Sequence, residues 1–170
     1  MNRGVYGTKA LWTHGLALGQ GPEARYHWDP IMTIAPKAAL SLNLTWQGGE
    51  RFSGPLNNGV SMMVDGTGQA APSPVQAVAF ALASCMAIDV VDIIEKGRVK
   101  VEAFSCDLDV FRAEAVPKRI IGFDLKFKVK GDVPPDRVAR AIDLSREKYC
   151  SVWHSLDPTI DFKTSFTVTP

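Results

Sequence analysis

The chain has 170 residues, enough for one domain with a sizeable core, and its 46% apolar and 22% charged residues are an ordinary globular composition. Its net charge of +1 arises from 19 basic and 18 acidic residues without a long basic run, so neither a nucleic acid nor a membrane is expected as a partner. Three cysteines are too few for a disulfide scaffold. No signal peptide is recognised, and Asp89 and Asp92 interrupt the most apolar segment, so a soluble cytoplasmic protein is predicted.

Residues 1–38 are rich in glycine and proline and show no periodicity. They are predicted to be an N-terminal extension that packs as an arm on its own domain or on a partner subunit. The folded domain is predicted to span residues 39–170.

Alternating sequence patterns begin at Ala39. The segment "ALSLNLTW" places leucines at every second position and predicts a strand over residues 39–46. The segment "QGGE" predicts a turn, and a return strand begins at Arg51. "GVSMMVD" predicts a third short strand over residues 59–65.

A long helix is predicted from Ser73 to Gly97. Ser73 is a favourable N-cap, Pro74 suits the first helical position, and Gln76 completes a capping box. Gly97 predicts the end of the helix.

The C-terminal half contains three strand patterns and a second helix. "VEAFSCDLDVF", "IIGFDLKFKVK" and "TIDFKTSFTV" each alternate apolar and polar residues, which predicts mostly antiparallel sheets with one solvated face. In the second pattern Ile121 is placed on the apolar face with Phe123. A helix is predicted from about Pro134 to Tyr149, followed by a short helical turn in "CSVWHSL". The order of elements predicts an α+β domain.

The three cysteines have different sequence contexts. Cys106 shares a strand face with apolar residues and is interpreted as a core thiol. Cys85 shares a helix stripe with Asp89 and Asp92, at the border between an apolar and a polar face, where a small core thiol is the ordinary interpretation. Cys150 precedes a helical turn, whose dipole is expected to favour its thiolate.

His154 follows Cys150 by four residues and leaves several possibilities open. The pair could act as nucleophile and base, or bind zinc together with Cys85. An exposed histidine without a chemical role is the third interpretation.

Four segments together resemble the OsmC/Ohr family of osmotically inducible and organic-hydroperoxide-resistance proteins. They are "LTWQGGERFSG", "SPVQAVAFALASCMAIDVV", "FRAEAVPKRI" and "LSREKYCSV", and the resemblance runs from about Ala39 to Val168. It implies an intertwined α+β homodimer in which long central helices pack against curved, mostly antiparallel sheets.

The resemblance also implies a thiol-dependent reduction of organic hydroperoxides, in defence against oxidative stress. Cys85 matches the peroxidatic cysteine, Cys150 matches the resolving cysteine, and Arg51 is the candidate for stabilising the Cys85 thiolate. An external dithiol would restore both thiols, without a cofactor or a metal. The apolar side chains expected to contact the substrate are Phe80, Met86 and Trp153.

Three features depart from the pattern of active family members. Val75 stands where they carry a glutamate near the start of the long helix, and Ser151 stands where a proline commonly follows the second cysteine. Arg51 matches the activating arginine only if the glycine turn is shifted by about one residue. These departures place the sequence nearer the broader OsmC-like branch. The alternatives are a dimeric binding or redox-sensing protein with an apolar pocket and no efficient turnover, and a metal-stabilised scaffold that uses Cys85, Cys150 and His154.

Overall fold

The computed structural model describes residues 38–56 and 58–170. Residues Ser41–Pro170 form one compact unit. The predicted arm, residues 1–38, lies outside the described residues except for Ala38.

The first sheet is a three-stranded antiparallel sheet in the order β1-β2-β3. The strands are β1 (Thr45–Trp46), β2 (Arg51–Pro55) and β3 (Ser61–Asp65). The predicted strand over residues 39–46 is therefore mostly wrong, since only its last two residues pair with β2. The pairing of β1 with β2 stops at Ser53, because Pro55, two residues further along β2, has no amide hydrogen to extend the ladder.

The long helix α1 (Pro74–Lys96) begins and ends where the sequence predicted. Gln76 N donates to Ser73 Oγ at 3.3 Å and Ser73 N donates to Gln76 Oε1 at 2.8 Å, which forms the capping box. Gly97 caps the C-terminus with a φ of −74°, and the left-handed conformation is adopted instead by Arg98, with a φ of 62°.

The second sheet contains β4 (Ala103–Arg112), β5 (Ile120–Lys130) and β6 (Asp161–Thr169) in that order. β4 and β5 are antiparallel, as predicted, but β5 and β6 are parallel. The placement of Ile121 on the core face was wrong, because the β4–β5 register shifts between Phe111 and Arg112. Ile120 packs against the core while Ile121 is exposed, as an extra residue in a bulge requires.

The predicted second helix is divided into three helical segments. α2 (Pro135–Leu144) is followed by a π-helical turn (Ser145–Tyr149) and by α3 (Ser151–His154). In the π-helical turn Cys150 N donates to Ser145 O at 2.8 Å, a bond across five residues.

The core lies between α1, α2 and one face of the second sheet. α1 contributes a stripe at four-residue spacing, and the central strand β5 contributes alternate residues. The fully or almost fully buried apolar side chains of these elements are Leu82, Met86, Val90, Ile94, Phe123, Leu125, Phe127, Val129, Val138, Ala141 and Ile142.

α1 carries more apolar surface than this core covers. Its most apolar 18-residue window has a mean hydropathy of 2.1, so the helix is long and apolar enough to cross a membrane by length and composition, contrary to the prediction from the sequence. Such helices also occur in the cores of soluble proteins. In the described chain Phe80 and Ile88 are 74% and 68% exposed.

Candidate active site

Two thiols meet where α1 packs against the region between α2 and α3. Cys85 lies in the middle of α1 and is half-buried, whereas Cys150 is fully buried and caps the N-terminus of α3. The two sulfur atoms and a carboxylate oxygen of Asp89 all lie within 4.8 Å of one another. The structure therefore brings together the two cysteines that the sequence suggested as a pair.

Asp89 is held in place by a hydrogen bond between helices. It lies one turn after Cys85, on the same stripe of α1. Ser145, fully buried at the start of the π-helical turn, donates from Oγ to Asp89 Oδ2 at 2.8 Å. This bond fixes the carboxylate beside both sulfur atoms. Asp92, the other acidic residue of the stripe, instead pairs with Lys96 at 2.5 Å on the surface.

The environment of Cys150 favours its protonated form. Burial, the largest cause, together with the thiol contact with Cys85 and the negative charge of Asp89, raises the pKa of Cys150 to about 12. The backbone N–H of Trp153 donates to Cys150 Sγ at 3.4 Å and opposes this shift. The expectation that the start of the helical turn would favour the Cys150 thiolate is therefore wrong, because burial outweighs one hydrogen bond.

Arg51 lies on β2 and is exposed in the described chain. Its Nε donates to the carbonyl of Gly48 at 3.4 Å, and its charge acts on Asp65, its partner across the β2–β3 ladder. Within a single chain we find no contact between Arg51 and the thiols among the described residues. Activation of Cys85 by Arg51 stays a prediction that requires Arg51 of a second subunit.

The three predicted substrate contacts have different environments. Phe80 is largely exposed, whereas Met86 is fully buried in the core and has no access to a substrate within the described chain. Trp153 is half-buried, and its ring packs on Phe162 with a centroid distance of 4.6 Å. The expected contact between Met86 and substrate was therefore not reproduced, since the four-residue stripe places this side chain inward.

His154 and Cys106 lie outside the three-residue group. His154 is exposed at the end of α3, so Asp89 occupies the position beside the two thiols that the zinc hypothesis gave to His154. Cys106 is half-buried on β4 against the core, as predicted, and burial raises its pKa.

A surface pocket of about 350 Å³ opens beside Asp89. Its lining includes Tyr149, from the π-helical turn, and Asp92, Ile93 and Lys96 from α1. The carboxylate of Asp89, beside the two thiols, is therefore open to solvent through this pocket.

The sequence places Asp89 on the same stripe as Cys85 but does not predict it as part of the site. It does not predict Ser145 as part of the site either. A signal for Ser145 was present in the sequence. It continues the apolar face of α2 formed by Val138, Ala141 and Ile142, and a hydroxyl at a buried position requires a partner.

The fold and the site together define an α+β protein in which a cysteine on the long helix α1 lies next to a second cysteine at the start of α3. The sequence pattern of the OsmC-like protein family matches residues 66–165, and the chain belongs to this family.

Several relatives are similar over most of their length. Protein YhfA of Escherichia coli (strain K12) is 38% identical over 131 residues, which are 76% of this chain and 98% of YhfA. A crystal structure of a hypothetical protein from Aquifex aeolicus is 25% identical, with a TM-score of 0.72, over 78% of this chain and 98% of that chain. The organic hydroperoxide resistance protein OsmC from Legionella pneumophila shares the fold, with a TM-score of 0.59 at 18% identity, over 78% of this chain and all of that chain.

Proposed function

We propose that the protein reduces organic hydroperoxides, with Cys85 as the peroxidatic and Cys150 as the resolving cysteine. The observation that carries this proposal is the approach of the two sulfur atoms to within 4.8 Å. Membership of the OsmC-like family supports it, and the relatives from Legionella pneumophila and Bacillus subtilis bear the name organic hydroperoxide resistance protein.

The different burial of the two thiols supports the assignment of roles. Cys85 is half-buried, whereas Cys150 is fully buried and its pKa is raised to about 12, which disfavours the Cys150 thiolate. Since a thiolate is the reacting species, Cys85 is the better candidate for the first attack.

In the first step the Cys85 thiolate attacks the terminal oxygen of the hydroperoxide. An S–O bond forms, the O–O bond breaks, and the alkoxide takes up a proton and leaves as an alcohol. Sulfur is oxidised by two electrons, and the peroxide is reduced by the same two. Cys85 is then a sulfenic acid.

In the second step Cys150 attacks the oxidised sulfur. The S–S bond forms, the S–O bond breaks, and hydroxide leaves with the Cys150 proton as water. The sulfur atoms approach from within 4.8 Å to about 2.05 Å, the length of a disulfide bond. An external dithiol reduces the disulfide by exchange.

Stoichiometric oxidation tests the proposal. We expect one equivalent of cumene hydroperoxide to remove two of the three thiols, and peptide mapping to show a Cys85–Cys150 disulfide. Cys150→Ser should stop at a sulfenic acid that dimedone traps, and Cys85→Ser should not react. Cys106→Ser is the matched control and should keep the reaction.

Turnover with dithiothreitol separates the proposal from its alternative. Repeated consumption of hydroperoxide supports a peroxidase. A single oxidation followed by no turnover would instead support a redox-sensing protein, and a disulfide that involves Cys106 would reject the chosen pair.

We further propose that the active protein is a homodimer. Trp46, Phe52 and Met62 share one face of the first sheet, yet they are 64%, 40% and 43% exposed. α1 also leaves large apolar side chains exposed, among them Phe80 and Ile88. Apolar surface exposed on two elements of one chain is typical of a protein that associates. Sedimentation equilibrium should give a dimer mass, and Phe52→Asp should weaken the association. A monomer at micromolar concentration would contradict the proposal.

A further inference from the structure

We propose that, in the reduced protein, Cys85, Asp89 and Cys150 form a binding site for one zinc-like divalent cation. The three side chains offer two sulfur ligands and one oxygen ligand from two separate segments, α1 and the cap of α3. Zinc prefers sulfur, nitrogen and carboxylate ligands in tetrahedral geometry, and a fourth position can be filled by water.

The ligand spacing is close to what such an ion requires. Bonds of about 2.3 Å to sulfur and about 2.0–2.2 Å to oxygen place tetrahedral ligands about 3.5–3.8 Å apart. The ligand atoms here lie within 4.8 Å of one another, so a contraction of about 1 Å completes the site. Cys85 and Asp89 are four residues apart on α1, which directs both side chains to one side of the helix.

Two contacts outside the ligand group support the same conclusion. The N–H of Trp153 points at Cys150 Sγ, at 3.4 Å, and a backbone donor of this kind stabilises the negative charge of a bound thiolate. The hydroxyl of Ser145 orients Asp89 at 2.8 Å, as the outer partners of metal-ligating carboxylates do. Each of the two contacts orients one ligand.

The pocket beside Asp89 leaves the carboxylate ligand of this site open to solvent. The only lysine that lines this pocket is Lys96, and it is already paired with Asp92. Zn²⁺ binds cysteines as thiolates, so the bound ion would be held by two thiolates and one carboxylate, and its binding would become stronger as the pH rises.

The cation and the disulfide require the same sulfur atoms and therefore exclude each other. A bound ion would protect both thiols until it is removed, and formation of the Cys85–Cys150 disulfide would release it. This regulatory consequence rests on the proposed function, whereas binding of the cation does not.

Cobalt titration tests the site with the reduced full-length protein. Co²⁺ should bind at one per chain, with the intense near-ultraviolet charge-transfer absorption of cobalt–thiolate bonds and the visible bands of a tetrahedral ion, and Zn²⁺ should displace it. Cys85→Ser and Cys150→Ser should each remove most of the charge-transfer intensity. Asp89→Asn should weaken binding at least tenfold, and Ser145→Ala should weaken it about 10–100-fold while the band positions are kept.

Three variants serve as controls for ligand identity. Asp92→Asn, Cys106→Ser and His154→Ala should bind Co²⁺ as the parent protein does. Absence of the charge-transfer bands at millimolar Co²⁺, or their persistence in Cys150→Ser, would overturn the proposal. So would their loss in His154→Ala, because the histidine would then be the ligand.

Oxidation with diamide separates this inference from the proposed function, because diamide joins neighbouring thiols without peroxidase chemistry. Protein carrying the Cys85–Cys150 disulfide should lose Co²⁺ binding. If Co²⁺ binds but hydroperoxide forms no disulfide, the proposed function fails alone. If hydroperoxide forms the disulfide but Co²⁺ does not bind, the cation site fails alone.

Discussion

Removal of the Ser145 hydroxyl isolates the contact that fixes Asp89 beside the thiols. Ser145 is fully buried, and its Oγ donates to Asp89 Oδ2 at 2.8 Å. A hydrogen bond to a charged group contributes about 1.5–3 kcal/mol, and alanine leaves a space of only one oxygen atom. Ser145→Ala should therefore reduce the free energy of unfolding by about 2 kcal/mol.

Urea unfolding of the reduced protein, at one fixed protein concentration, measures this loss. Ser155→Ala is a matched control, because Ser155 Oγ donates at 2.7 Å to the carbonyl of Ser151 but is exposed. The control should lose less than about 0.5 kcal/mol.

A double-mutant cycle with Asp89→Ala assigns the effect to the pair. If Ser145 acts through Asp89, the two substitutions together should cost less than the sum of their separate effects. Equal losses in Ser145→Ala and Ser155→Ala, or strictly additive effects in the cycle, would refute the reasoning.

Three further predictions follow from charge. The pKa of Cys150 is raised to about 12 in the folded protein, above the unfolded value of about 8.5. Its contribution to stability is therefore complete below about pH 8.5 and is lost as the pH rises toward about 12. In urea unfolding, Cys150→Ala should lose less stability at alkaline pH than the parent protein does, and an unchanged pH profile would contradict this. Asp65 accepts hydrogen bonds from Ala70 N, Thr67 Oγ1 and Thr67 N, which lower its pKa. Its contribution to the stability of the fold is therefore present above about pH 4 and is lost as the pH falls through the lowered pKa. Asp65→Asn should flatten the acid limb of the stability profile, whereas Asp161→Asn, on the exposed surface, serves as the control. If Arg51 of a second subunit activates Cys85, Arg51→Ala should slow alkylation of Cys85 by iodoacetamide at neutral pH, with a smaller effect at alkaline pH. Identical pH curves for the two proteins would show that Arg51 does not activate the thiol.

The sequence by itself determined the elements whose signals are local. The capping box of Ser73 and Gln76 fixed the start of α1, and apolar alternation identified β4, most of β5 and β6. These signals suffice because capping and side-chain alternation depend on neighbouring residues. The residues quoted for the OsmC/Ohr resemblance also identified the family, which the comparison of sequences confirms.

Tertiary structure decided what depends on distant partners. Most of the predicted strand over residues 39–46 is not formed, because an alternating sequence does not by itself supply hydrogen-bond partners. Ile121 is exposed because it lies in a bulge, and a bulge exists only between two paired strands. The parallel pairing of β6 with β5 likewise depends on the path of the chain after α2.

The thiol site likewise depends partly on the sequence and partly on the fold. The sequence singled out Cys85 and Cys150. Their approach to within 4.8 Å, the burial that raises the pKa of Cys150, and the bond from Ser145 to Asp89 arise only when α1 packs against the region around the π-helical turn. A pKa depends on the solvent and charges around a group in space, and residues 56 positions apart along the chain, such as Asp89 and Ser145, acquire a shared environment only through the fold.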